Sequence, residues 1–259
     1  MKILHVYKDY YPVLGGIENH IKMLAEAQVQ QGLKVTVLVT APGRRTVVER
    51  INGVEVIKAG RLATVTSTPL SPALFAWMRR LKADLVHLHF PHPPGEVANL
   101  WLGPGQGTII TYHSDIIRQK GLLQLYQPLL WRVLSQAQRI IATSPHYIRS
   151  SPYLSRMAEK CVVIPLGIEV QRFERVDKEA VERLRKRYRP PLLLFVGRLR
   201  YYKGLQYLIQ AMKHLEGQLL IIGSGPMLEN WQQLSESLSL EERVIFLGTP
   251  INDQIANLI

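Results

Sequence analysis

Cysteine is almost absent from this chain: Cys161 is the only one among 259 residues, so no internal disulfide can form. Its setting in the apolar run Cys161-Val162-Val163-Ile164 reads as a buried strand residue rather than a nucleophile. Long apolar runs are also lacking. No window reaches the ~18 uninterrupted apolar residues of a membrane span, and the opening MKILHVYKDYYP has too short an apolar part, and too early an acid, for a secretory signal. The expectation is a cytoplasmic protein. Solenoid-period repeats and low-complexity tracts are missing too. Acidic residues are in deficit, with 20 Asp and Glu against 32 Lys and Arg, a formal net charge of +12. An acidic partner is therefore implied: nucleic acid, an anionic membrane surface or phosphorylated substrates. The excess sits in segments such as Arg79-Arg80-Leu81-Lys82 and Arg183-Leu184-Arg185-Lys186-Arg187, without nucleic-acid motifs and with little aromatic interleaving. Phosphates or a membrane surface fit better than DNA, and a simply solvated basic face is the plain alternative.

What is present is an alternation of short apolar runs with amphipathic segments. Lys2 to Tyr7 reads as a strand, Ile17 to Gln31 as a helix stopped by Gly32, and Lys34 to Thr40 as a second strand. Further strands are expected at VEVIKA after Asn52-Gly53, Asp84 to His89, Thr108 to Tyr112, Arg139 to Thr143 and Cys161 to Ile164. Helices are expected through Leu81 and from Leu122 to Ala137, and Leu62 to Pro72 reads as a loop. The rhythm breaks at Pro165 to Phe173 and restarts at Leu192 with strand, loop and helix. Gln218 to Ile222 follows, then Gly223-Ser224-Gly225-Pro226 with Pro226 at a first helical position, a helix through Leu238, a strand at Val244 to Leu247 and a helical start at Ile251. The fold class is thus α/β, with two Rossmann-like doubly wound parallel-sheet domains. The first spans 1–170, a connection 171–190, and the second, incomplete, 191–259.

The clearest functional unit is Leu192 to Met212. Its strand is expected to be buried on both faces, and Leu205, Leu208, Ile209 and Met212 form a helical stripe. Between them, Arg198, Arg200 and Lys203 stand where strand C-termini open into a crevice and a helix N-terminus offers free N–H groups, a setting for a phosphate or diphosphate. A solvated basic loop is the alternative. Gly15-Gly16, after the first strand and before a helix, lets the backbone approach a phosphate or sugar closely, or simply turns tightly. It is not the G-x-G-x-x-G dinucleotide fingerprint, so a nicotinamide cofactor loses support. Gly223-Ser224-Gly225-Pro226 has the same two readings. His87, His89 and His92 cluster at one strand end, His87 and His89 on one face. With only Asp84 as a nearby carboxylate they read as substrate-facing or packed rather than as a metal site. His113 stands at a strand C-terminus, where ligands or backbone would engage it. Ser144 lacks the G-x-S-x-G elbow of a hydrolase.

Together these pieces resemble the retaining glycosyltransferases of family four, or group 1, with the GT-B fold of two facing Rossmann-like domains. The resemblance rests on Gly15-Gly16-Ile17-Glu18, Thr111-Tyr112-His113-Ser114-Asp115, Ile141-Ala142-Thr143-Ser144, Val163 to Glu169 with Arg172-Phe173, Phe195 to Leu199 with Lys203-Gly204, and Ile222 to Pro226, in the family's order over nearly the whole chain. It implies transfer of a sugar from a nucleotide-diphosphate sugar to a glycan or lipid-linked acceptor, with retention, no cofactor and no bound metal. Arg198 and Lys203 would neutralise the leaving diphosphate, with Gly197, Gly223 and Gly225 lining it and the Gly15-Gly16 loop closing over it. His113 would lie near the reacting centre, and Glu18, His20 and His89 on the acceptor side. No nucleic acid is implied, and peripheral contact with an anionic inner membrane face is expected. Leu166 stands where the family has Asn. The family's paired glutamates would lie beyond Ile259, so this chain is expected to be truncated and poorly active. A non-catalytic nucleotide- or glycan-binding module, and a GT-B-like nucleotide-sugar epimerase, are the competing readings.

Overall fold

A computed structural model describes residues 1–13, 15–65, 68–116, 120–168, 170 and 177–248, excluding the side chains of 120–122. The chain divides into two compact units, Met1–Gly167 and Ile168–Ile259. In the first, an eight-stranded sheet takes shape from β1 (Lys2–Val6), β2 (Lys34–Thr40), β3 (Val47–Ile51), β4 (Val54–Ala59), β7 (Leu85–Phe90), β8 (Gly107–Tyr112), β9 (Arg139–Ala142) and β10 (Cys161–Val163), while β5 (Ala63–Val65) and β6 (Thr68–Leu70) form a separate hairpin. The order is β10-β9-β8-β7-β1-β2-β4-β3, parallel throughout except for the β3–β4 pair. Strand order reverses at β1, between β2 on one side and β7 on the other. That is the switch point outside whose strand C-termini an α/β sheet offers a crevice.

Alternation along the strands sorts side chains onto two faces. Leu4, Val6, Leu38, Ile57, Leu88, Phe90, Ile110 and Tyr112 point to one face. Helices α2 (Pro72–Arg80), α3 (Pro93–Leu102) and α4 (Lys120–Gln136) are on the same side, with Leu74, Met78, Ala98, Leu130 and Leu134 in the shared core. Val35, Val37, Val39, Val54 and Val56 point to the other, where α1 (Gly16–Gln30) lays Ile21 and Ala25 against them. Each such aliphatic removed from water contributes about 1.5–3 kcal/mol. Helix starts follow local chemistry. Ser71 accepts from the Leu74 N–H with Pro72 next, and Ser144 accepts from the Tyr147 N–H at the start of α5 (Pro145–Ser150). Capping is thus the work of Ser144.

The second unit holds α6 (Lys178–Arg187), capped by Asp177, and a parallel sheet β11 (Leu192–Val196), β12 (Gln218–Ile222) and β13 (Val244–Gly248) in that order. Helices α7 (Leu205–Ala211) and α8 (Leu228–Ser237) close a core of Leu205, Ile209, Met212, Leu219, Ile221, Trp231 and Val244.

Several expectations need correction. The antiparallel β3, the β5–β6 hairpin and α3 were not foreseen, because Arg44 to Ile51 carries no alternation and Leu62 to Pro72 reads as loop by composition. β11 is only half-buried, with Leu192 and Val196 exposed, because it lies at an edge of the described sheet. Pro226 lies in the turn before α8 instead of at its first position. Helix α7 ends at Ala211, just before Met212, the last residue of its expected apolar stripe. Cys161 is half-buried, its Sγ 3.3 Å from the Met157 carbonyl oxygen. The helix expected from Ile251, and residues 171–176 of the connection, lie outside the described residues.

Candidate functional site

In the first unit the chemistry collects on the α1 side of the switch point. β1 carries His5 on that face, and Tyr7 follows directly after its end. Register sets His5 beside His87, and His89 beside Thr111, so β1 and β7 present imidazoles and β8 a hydroxyl where β2 and β4 present valines. From α1, His20 and Gln28 fall eight residues apart, two helical turns along one stripe, and both meet this polar half of the sheet. His5 Nε2 lies 2.7 Å from Gln28 Oε1 and His5 Nδ1 lies 3.0 Å from His89 Nε2. His89 Nδ1 lies 3.2 Å from His113 Nε2. His87 Nε2 is 2.7 Å from Thr111 Oγ1. The His20 ring stands edge-on to His89 and His113, at 5.8 and 5.6 Å.

Burial governs their charge. It lowers His5 and His113 each to about 4, with the nearby His20 adding to the fall, and holds His87 and His89 well below their ordinary value. His20 is lowered by burial too. These imidazoles are therefore neutral near pH 7, each with one N–H and one lone pair. His92, at the start of α3, is lowered to about 3 by burial and by Lys8. Beside it the buried Glu96 carboxyl is pushed up to about 7, even though it accepts bonds from Tyr126 Oη and the His92 N–H. His113 itself stands just beyond β8. Its N–H donates to the Phe90 carbonyl at 3.1 Å, and Asp115 pins the following loop by accepting from Tyr112 Oη and Ser151 Oγ, both at 2.8 Å.

The predicted residues of α1 fall around this bank. Gly15 precedes the helix in extended conformation. A Cβ there would meet only the Glu18 carboxylate, the movable end of a flexible side chain, and Gly16 faces open space, so packing demands glycine at neither position. Glu18 is itself buried against Gly15 and raises the already burial-elevated Tyr7 hydroxyl further. The structure thus brings His20, His89 and His113 together and leaves His92 unattached to the bank. His5 and Gln28 were missed from sequence. Gln28 could have been found from its spacing to His20, whereas His5 had no signal until register set it beside His87.

In the second unit, Arg198, Arg200 and Lys203 occupy the β11–α7 loop. Arg198 and Lys203 are exposed, and among the described residues no carboxylate pairs with any of the three. Lys203 lies 5.8 Å above the Tyr202 ring. The loop is fixed from behind. Leu199 N donates to Ser224 O at 2.9 Å, Met227 N to Leu199 O at 3.1 Å, and Gly197 N to Ile222 O at 3.0 Å. Gly223 and Gly225 have φ of 141° and 159°, and a Cβ on either would strike the carbonyl of Gly197 or Leu199. Close backbone packing therefore accounts for both glycines. It holds three cations at the C-terminal edge of β11, an arrangement suited to a dianionic ligand.

Among the described residues no helix is long and apolar enough to cross a membrane. Comparison with known proteins gives two adjoining family matches, Glycosyltransferase Family 4 over residues 14–172 and Glycosyl transferases group 1 over 176–259. The chain is 36% identical over 257 residues to an O-antigen chain mannosyltransferase C of Escherichia coli, covering 98% of this chain and 68% of that protein. It is also 36% identical over 251 residues to the D-rhamnosyltransferase WbpZ of Pseudomonas aeruginosa, covering 96% and 66%. It thus spans about two thirds of these relatives. Among solved structures, sucrose-phosphate synthase of Thermosynechococcus elongatus superposes with a TM-score of 0.75 at 20% identity, over 99% of this chain and 72% of that one. Anabaena HepE, solved with UDP and glucose, superposes at 0.74 and 18%, over 98% and 71%. Both share the fold. By its two adjoining family matches and its 36% identity to named sugar transferases, the chain belongs to the family 4, group 1 glycosyltransferases.

Proposed function

We propose that this chain takes a nucleotide-diphosphate sugar as donor and passes the glycosyl group, with retention at the anomeric carbon, to a lipid-linked or polysaccharide acceptor. The observation that carries this is the β11–α7 loop: Arg198 and Lys203, exposed and without a carboxylate partner among the described residues, on a backbone fixed by Gly223 and Gly225. The barrier to glycosyl departure lies in charge developing on the leaving diphosphate, and fixed cations lower it where that charge appears. Gly197, Gly223 and Gly225 let backbone approach the same phosphates. In the first unit His113 meets sugar hydroxyls, Gly15 and Gly16 offer backbone N–H groups at the start of α1, and Glu18 and His20 serve the acceptor side, while His89, fully buried and bonded through both ring nitrogens, supports His113 instead of meeting the acceptor.

The relatives' names point to mannose and rhamnose as the first sugars to try. The exposed basic clusters at Arg79-Arg80-Lys82 and Arg183 to Arg187 support a peripheral site on an anionic membrane. Equal binding to neutral and anionic vesicles would remove that part. The test is incubation with nucleotide mannose, rhamnose and glucose donors and a lipid-linked saccharide, with products read by mass spectrometry and anomeric NMR. A retained-configuration product supports the reading. Donor converted to its epimer without acceptor would favour the epimerase, and donor binding without turnover would favour a binding module.

A further inference from the structure

Three imidazoles joined nitrogen to nitrogen form a line from α1 to the end of β8. A ring nitrogen sits about 1.1 Å from its ring centre, so two rings bonded head to head at these separations need centres about 5.2 to 5.5 Å apart. The observed centres are 5.3 Å apart for His5–His89 and 5.5 Å for His89–His113, with interplanar angles of 25° and 16°. The lone-pair directions therefore run along the N···N lines. A shared zinc ion, with Zn–N of about 2.0–2.1 Å, would need them to converge to one side. Proximity alone would allow a cation at His5, His87 and His89 or at His20, His89 and His113, whose ligand atoms in each set lie within 4.8 Å of one another. The ring orientations favour a shared proton instead.

Direction follows from the end of the line. Gln28 presents its carbonyl oxygen to His5 Nε2, so that nitrogen carries the hydrogen and His5 Nδ1 is bare. His89 must then donate from Nε2 and accept at Nδ1, and His113 must donate from Nε2. His113 Nδ1 is left as a lone pair, and among the described residues it has no partner. The neighbouring polar rings, His20, His87 and Tyr7, meet the line by faces or edges.

We propose that the Gln28–His5–His89–His113 line fixes the tautomer of His113, making its Nδ1 a dedicated hydrogen-bond acceptor that selects a sugar hydroxyl and rejects an anionic phosphate oxygen. This rests on the glycosyl-transfer reading. His5 and Gln28 act as positioning residues, since neither reaches a ligand except through His89 and His113.

The tautomers can be read without any ligand, by long-range proton–nitrogen NMR of the nitrogen-15-labelled 259-residue chain at pH 7. The expected pattern is Nε2–H on His5, His89 and His113. Gln28→Met and His5→Phe should each turn His113 from one tautomer into a mixture, while Gln28→Glu, which keeps an acceptor, should preserve the wild-type pattern. Gln28 lies on a half-buried helix surface, so its variants report even if His5→Phe fails to fold. A wild-type His113 carrying Nδ1–H, or a tautomer indifferent to Gln28→Met, overturns the proposal. Methyl mannoside and methyl rhamnoside should shift the His113 Nδ1 resonance and inorganic phosphate should not. A shift with phosphate overturns the selectivity. The expected tautomers with no response to either glycoside would leave the relay standing and overturn its assignment to a sugar hydroxyl, a failure separable from absent sugar transfer in the product assay.

Discussion

Acid should loosen the first unit in a way set by its buried imidazoles. His5 and His113 have folded-state values of about 4 and His92 about 3, against 6.5 when unfolded. A depressed histidine stabilises fully above its unfolded value, and that stability is lost as pH falls from 6.5 toward the folded value, because only the unfolded chain takes the proton. Between pH 7.5 and 5.5 each of the three loses about 1.4 kcal/mol, together about 4 kcal/mol. Glu96 works the other way. Its value is raised from 4.5 to about 7, so the folded state takes a proton over the same window and gains about 2 kcal/mol. These four groups give a net loss of about 2 kcal/mol, and His87 and His89, also held well below their ordinary value by burial, add to it. Amide exchange at Leu4, Val6 and Leu88 reads it locally: protection, corrected for intrinsic rate, should fall at least about 30-fold from pH 7.5 to 5.5. Glu96→Gln removes the offset of about 2 kcal/mol and should steepen the fall by a further factor of about 30. Protection that stays flat, or that is unchanged in slope by Glu96→Gln, would refute the reasoning.

Other consequences follow from the packing. Gly225→Ala places a Cβ against the Leu199 carbonyl at φ 159° and should cost the second unit at least about 2 kcal/mol, seen as earlier thermal loss of Trp231 fluorescence. Met78→Ala empties a fully buried site in the core beneath α2 and should cost about 2–5 kcal/mol by urea unfolding. Asp177→Ala removes the bonds to the Glu179 and Ala180 N–H groups and should cost about 1 kcal/mol in the local stability of α6, measured by its amide exchange.

Much of the sheet was legible because parallel strands announce themselves as apolar runs between amphipathic segments; β1, β2, β4, β11 and β12 need no tertiary context. β3 did not, since Val47 to Ile51 is largely exposed and holds its place by pairing with β4 rather than by burying a face. Helix α3 was hidden by Pro93 and Pro94, which read as loop yet suit a first helical turn. At the site, His89 and His113 were readable from strand position. His5 was not, because a lone histidine inside a strand signals nothing until register sets it beside His87. Gly223 and Gly225 were noticed for phosphates, but the backbone of the neighbouring loop already requires them.

The central claim is that the β11–α7 loop holds a donor diphosphate, and calorimetric titration with UDP, GDP and their sugars tests it most directly. Two exposed cations near a phosphate contribute on the order of 1–2 kcal/mol each. Arg198→Ala with Lys203→Ala should therefore weaken micromolar to millimolar binding by about 30- to 1000-fold, with thermal unfolding unchanged because among the described residues neither side chain pairs with a carboxylate. Nucleotide binding of undiminished strength in the double variant would contradict the account.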